Sequence, residues 1–146
     1  MGADLYIEKM PREEQYKNGF STSVETGYFR DCYNDNGLFA AISTNTKHDL
    51  SWWHTVDVHK DDWFDKKGIM TVEGTKEWLK ELTPIITEFE NLPELYHGEY
   101  NLEKHSFIKS QKMTKKNVKE YREWARDLIK FIEKAIEKDS PIIWSV

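Results

Sequence analysis

Two short stretches hold most of the side chains able to do chemistry. GYFRDCYNDNG, Gly27 to Gly37, sets Tyr28, Arg30 and Tyr33 among aspartates and asparagines. LSWWHTVDVHKDDWF, Leu50 to Phe64, adds Trp52, Trp53, His54, Asp57, His59 and Asp61. An arginine among rings can stack on them and present a bidentate fork to a carboxylate or phosphate. Read as a helix, GYFRDCYND places Arg30, Tyr33 and Asn34 on one face and turns Phe29 and Cys32 inward. A pocket rimmed by Tyr28, Arg30, Tyr33, Trp52 and Trp53 follows from that reading. The structural alternative is an Arg30–Asp31 or Arg30–Asp35 network that pins a loop to the core.

His54, Asp57, His59 and Asp61 are the ligand types of zinc, iron or manganese sites. They define the enzymatic alternative, a metal-dependent hydrolase. Their spacing is unhelpful, because His54 and His59 are five apart and fall on one face of neither a helix nor a strand. The plainer reading is a surface turn with Trp52 or Trp53 anchored in the core. Cys32 as a nucleophile needs a base and a field that favours the thiolate, and nothing in the sequence links it to either. Gly-rich phosphate loops, serine-hydrolase elbows and cysteine–histidine metal motifs are absent, so no cofactor is expected.

A third group is basic. Residues 104–146 hold 11 Lys and Arg against 6 Asp and Glu, whereas residues 1–103 hold 10 against 20, a balance of −10. Lys112, Lys115 and Lys116 bracket Thr114, the expected cap of a long helix. Free backbone amides there favour an anion, and cations placed there oppose the helix dipole unless an anion accompanies them. An acidic chain with one basic strip is no general nucleic-acid binder. It suits an anionic small molecule, or a protein partner.

The elements that position these groups follow from periodicity. ADLYIE alternates as a strand, and PIIWSV reads as another at the far end, so the two ends are expected to pair. Residues 9–26 read as loop with a helical turn. Asn34, Asp35 or Asn36 is the expected cap of a short helix through LFAAI. Thr71 caps a helix carrying Trp78, Leu79, Leu82, Ile85, Ile86 and Phe89, and Pro84 predicts a kink or break with Thr83 as a second cap. Residues 91–112 read as loop. Thr114 caps the longest helix, to about Lys138, with a stripe of Val118, Tyr121, Ala125, Leu128, Ile132 and Ala135. Trp124 and Phe131 flank it and are expected to widen its core contact; the alternative is a hydrophobic patch for a partner or a homodimer. The expected fold is therefore α-rich α+β: one domain over residues 1–146, about four helices, and a small sheet formed by the N- and C-terminal strands.

Length, with 38% hydrophobic residues and 32% charged, places the chain among globular domains. No apolar run approaches a membrane span, and the N-terminus lacks a secretory pattern. The single cysteine rules out an internal disulfide, and a reducing, cytoplasmic setting is expected.

MGADLY at Met1 to Tyr6, GYFRD-x-YND at Gly27 to Asp35, and LSWW at Leu50 to Trp53 together resemble a set of small bacterial and phage proteins without an assigned function. The resemblance covers the first third of the chain. It departs from the pattern in a short segment before GYFRD and in Cys32, where a smaller polar residue is expected. It implies a bacterial or phage origin and cytoplasmic residence, and it brings no catalytic residue. The leading expectation is a small non-enzymatic binding protein of phage or mobile-element type. It would hold an anionic, nucleotide-like ligand through Arg30, Lys112 or Lys115, with rings stacking a base, or it would inhibit a host defence protein.

Overall fold

The computed structural model describes residues 2–15 and 21–146, and the part of the 9–26 expectation that falls on 16–20 lies outside them, as does Met1. The chain ends do pair. β1 (Gly2–Ile7) lies antiparallel to β2 (Tyr28–Cys32) on one side and to β6 (Ile142–Ser145) on the other, and the two-residue β3 (Ile69–Met70) closes the order β2-β1-β6-β3. Strand parity sends Ala3, Leu5 and Ile7 to one face, where all three are fully buried with Phe29 and Ile142. The opposite face carries the register pairs Asp4↔Arg30 and Tyr6↔Tyr28. Gly27 turns the chain into β2 at φ +81, and a Cβ there would meet the Met10 sulfur at 2.6 Å.

The helices cover the inner face. Beyond the single turn α1 (Arg12–Gln15), the described residues form α2 (Leu38–Asn45), α3 (Trp52–His59), α4 (Val72–Asn91) and α5 (Lys115–Glu137). Thr71 and Thr114 cap α4 and α5, their side chains accepting from Gly74 N and Asn117 N. α4 buries Trp78, Leu82, Ile85, Ile86 and Phe89 and packs along α5, which buries Tyr121, Ala125, Leu128, Phe131, Ile132 and Ala135. Each large apolar side chain so buried contributes about 1.5–3 kcal/mol. Together with the sheet they form one connected core. The architecture is the expected α+β, rich in helix.

Three local expectations are corrected. GYFRDC is strand β2, not helix, so alternation rather than a helical face sorts its side chains. Helix α4 runs unbroken through Pro84, because Pro84 sits on the exposed side, where water can meet the carbonyl its missing donor leaves. Residues 96–112 are a hairpin, β4 (Tyr96–Asn101) with β5 (Ser106–Lys112), packed on α2. Phe131 widens the core contact as expected, fully buried against Phe29 at 6.0 Å between centroids, so the alternative of a dimer face through it falls. Trp124, its expected companion, donates its indole N–H to Arg30 O at 3.1 Å and ties α5 to the sheet edge.

Candidate functional site

The expected aromatic–arginine pocket is divided by the strand. Tyr28 and Arg30 lie on the outer face of β2, where the Tyr28 hydroxyl donates to Asp4 Oδ1 at 2.5 Å and Arg30 Nη1 lies 3.3 Å from the same oxygen. Burial first, and the Asp4 carboxylate second, push the Tyr28 phenol up to about 12. Among the described residues the carboxylate that Arg30 pairs with is Asp4, not Asp31 or Asp35.

Asp31 has a different task. Parity turns it into the core, where it is 1% exposed. Its Oδ1 accepts from Cys32 N and Leu38 N, both at 2.7 Å, and its Oδ2 from Phe39 N at 3.1 Å and Trp52 Nε1 at 2.8 Å. Two of these donors are the free amides that open α2. The helix is therefore capped by a strand residue seven positions upstream of Leu38, and not by Asn34, Asp35 or Asn36. Burial pushes the Asp31 carboxyl up, and its four hydrogen bonds pull it back. Trp52 stacks flat on Phe39 at 4.0 Å between centroids, so it belongs to this knot. Of the five expected rim residues, exposed Trp53 and half-buried Tyr33 stack on each other, at 6.0 Å between centroids. Cys32 is a free thiol pushed up by burial and then by Asp31, against the needs of a nucleophile.

The metal set is not gathered. α3 leaves His54 and Asp57 exposed, while His59 stacks on Trp63 and lies 3.4 Å from Asp62 and 3.7 Å from Glu81. Asp61 sits in the exposed turn that follows. Among the described residues no three His, Cys, Asp or Glu side chains are placed to hold a metal ion.

The basic strip, in contrast, converges. A cleft of about 480 Å³ runs between the first turns of α5 and the Pro93–Leu95 segment. Lys112, Lys115, Lys119, Arg122 and Arg126 line it, against one carboxylate, Glu94. Leu95, Met113 and Val118 form its apolar floor. Lys112 Nζ holds Glu94 Oε1 at 2.9 Å, which keeps the Glu94 carboxyl below its usual range. Arg122 donates to Leu92 O, and Arg126 pairs with Glu90 at 3.1 Å. Lys115 and Lys119 have no carboxylate partner among the described residues. Lys112 and Lys115 were legible from their place around Thr114. Lys119, Arg122 and Arg126 were missed, although their positions 4, 7 and 11 after Lys115 mark one face of a helix. That row extends about 16 Å along the axis.

Among the described residues no aromatic ring lines this cleft, and none of its lining residues is shared with the cleft that holds Tyr33 and Trp53. No family model matches the chain, and neither a curated protein nor a solved structure matches it. No helix among the described residues is long and apolar enough to cross a membrane.

Proposed function

We propose that this protein is a small binding module that holds an anionic ligand in the α5 cleft. One observation carries the reading: five cations line one concavity, and two of them, Lys115 and Lys119, have no carboxylate partner among the described residues. Cations beside the first turn of a helix oppose its dipole at a cost of about 0.3–1 kcal/mol each, a cost an anion on the free amides would reverse. Among the described residues the lining is cationic without aromatic rings, so the ligand is recognised by its phosphate or carboxylate groups, and a nucleotide would be held by its phosphates rather than by a stacked base. Calorimetric titration with tripolyphosphate tests this. Binding that weakens with added salt, and that is lost in Lys119→Ala/Arg122→Ala, is expected. No heat of binding, or equal binding by the variant, overturns it.

A second reading is that the protein covers a basic surface of another protein, such as a host defence component in a phage setting. It is favoured by the −10 balance of residues 1–103 together with Trp53, which stands 53% exposed.

A further inference from the structure

The α5 cleft carries one anion of its own. Glu94 lines it beside the five cations, and its carboxylate is held from two sides. Oε1 accepts from Lys112 Nζ at 2.9 Å, and Oε2 accepts from the Tyr96 hydroxyl at 3.0 Å. Tyr96 opens β4, Lys112 closes β5, and the two face each other in the hairpin register. The carboxylate is thus clasped at the hairpin end that borders the cleft. Lys109, whose Nζ lies 4.9 Å from the centre of the Tyr96 ring, adds positive charge from the same strand. Lys112 first, then the Tyr96 hydroxyl, hold the Glu94 carboxyl below its usual range, with a smaller part from Lys109.

This clasp divides the cations. Lys112 is answered by Glu94 and Arg126 by Glu90, and Arg122 gives a donor to Leu92 O. Lys115 and Lys119 are left without a carboxylate partner among the described residues. An anion that meets only those two lysines leaves the clasp intact. An anion with a second charged group reaches Lys112 as well, and there it competes with Glu94. The clasp can yield, because Lys112 and Glu94 are 60% and 47% exposed and such pairs are weak. A phosphate group brings more charge than a carboxylate and three acceptor oxygens, so it is the stronger claimant for the ammonium.

We propose that Glu94 stands in for one anionic group of the ligand, and that a ligand with at least two such groups, a di- or triphosphate, displaces it from Lys112 on binding. The inference rests on the anion-binding reading above and adds the ligand's second group and the residue that selects for it.

Nuclear magnetic resonance of the glutamate carboxyl carbons reads the clasp, and calorimetry reads affinity, with orthophosphate and tripolyphosphate as probes. Tripolyphosphate is expected to shift the Glu94 signal and to move its titration midpoint up, as Lys112 changes partner; orthophosphate is not. Glu94→Gln, an exposed change, should keep the fold and tighten tripolyphosphate binding about threefold or more. Glu103→Gln makes the same change in net charge at the exposed hairpin turn, and should alter affinity by less than about twofold. Weaker binding by Glu94→Gln would make Glu94 a brace that positions Lys112, and overturns the inference. Equal gains from the two variants reduce the effect to net charge and overturn it too. So does a Glu94 signal that orthophosphate shifts as tripolyphosphate does. Tripolyphosphate binding that leaves the Glu94 signal and midpoint unchanged overturns the inference while the anion reading stands. If tripolyphosphate binds neither wild type nor Glu94→Gln, both fall.

Discussion

Asp31 and the lysines of α5 are both charges set beside the start of a helix, and they stand in opposite relations to it. Asp31 is an anion where the dipole favours one, buried, with four donors from its own chain. Lys115 is a cation where the dipole disfavours one and Lys119 lies one turn further along; both are exposed, with no carboxylate partner among the described residues. The first arrangement is complete within the molecule and holds β2, α2 and α3 together. The second is incomplete within the molecule. A charge that its own chain satisfies reads as structure, and a set of charges left unanswered in a cleft reads as a place for something else.

The largest expected effect breaks the first half of that contrast. Asp31→Ala strands two backbone amides of α2, the Cys32 amide and the Trp52 indole in the core. A loss of at least about 3 kcal/mol is expected, since each buried donor left unmet costs about 1–3 kcal/mol. Asp31→Asn keeps one acceptor and should cost less. Denaturant midpoints followed by tryptophan fluorescence measure both, and a near-neutral Asp31→Ala would show that the knot is not structural.

An intermediate effect comes from two phenols that brace the same region. Tyr28 donates to Asp4, and Tyr121 donates to Asn36 O at 2.7 Å. Both are pushed up to about 12, each chiefly by burial. A phenol that holds its proton more tightly when folded adds stability that is full below its ordinary value of about 10 and is lost as pH rises through the folded value. Stability should therefore fall between about pH 10 and 12. Tyrosinate absorbance should show at least two tyrosines titrating late, and all tyrosines titrating together near their ordinary value would contradict this.

Much of the fold was legible, for reasons that particular residues make plain. Leu5 and Ile7 alternate with Tyr6, and PIIW follows a helix stop, so the paired ends could be read. Thr71 and Thr114 stand one position before amphipathic runs, so both long helices could be read with their caps. The hairpin was not, because Tyr96, Gly98 and Tyr100 and then Phe107 and Ile108 sit among His97, Glu99 and lysines and offer no clean alternation. GYFRDC was misread because an aspartate pointing into a core is the exception to strand patterning. Asp31 is tolerated there only by donors that arrive from Leu38, Phe39 and Trp52, and a cap reached across a strand–helix connection leaves no local signature. Half of the cationic cleft was legible, since Lys112 and Lys115 lie beside a readable cap. The other half needed the helix face that Lys119, Arg122 and Arg126 share, and also the Pro93–Leu95 wall, which only the folded chain brings opposite.

The smallest change in stability bears most directly on the central claim, that the α5 cations answer to a ligand rather than to the fold. The measurement is the denaturant midpoint of wild type and of Lys115→Ala/Lys119→Ala, each with and without tripolyphosphate. Without the ligand the variant should be as stable as wild type or gain about 0.3–1 kcal/mol, because a cation leaves the positive end of α5. With it, the wild-type midpoint should rise and the variant's should not, since a ligand that binds only the folded state stabilises it. A variant that is destabilised without ligand, or that responds to tripolyphosphate as wild type does, would contradict the account.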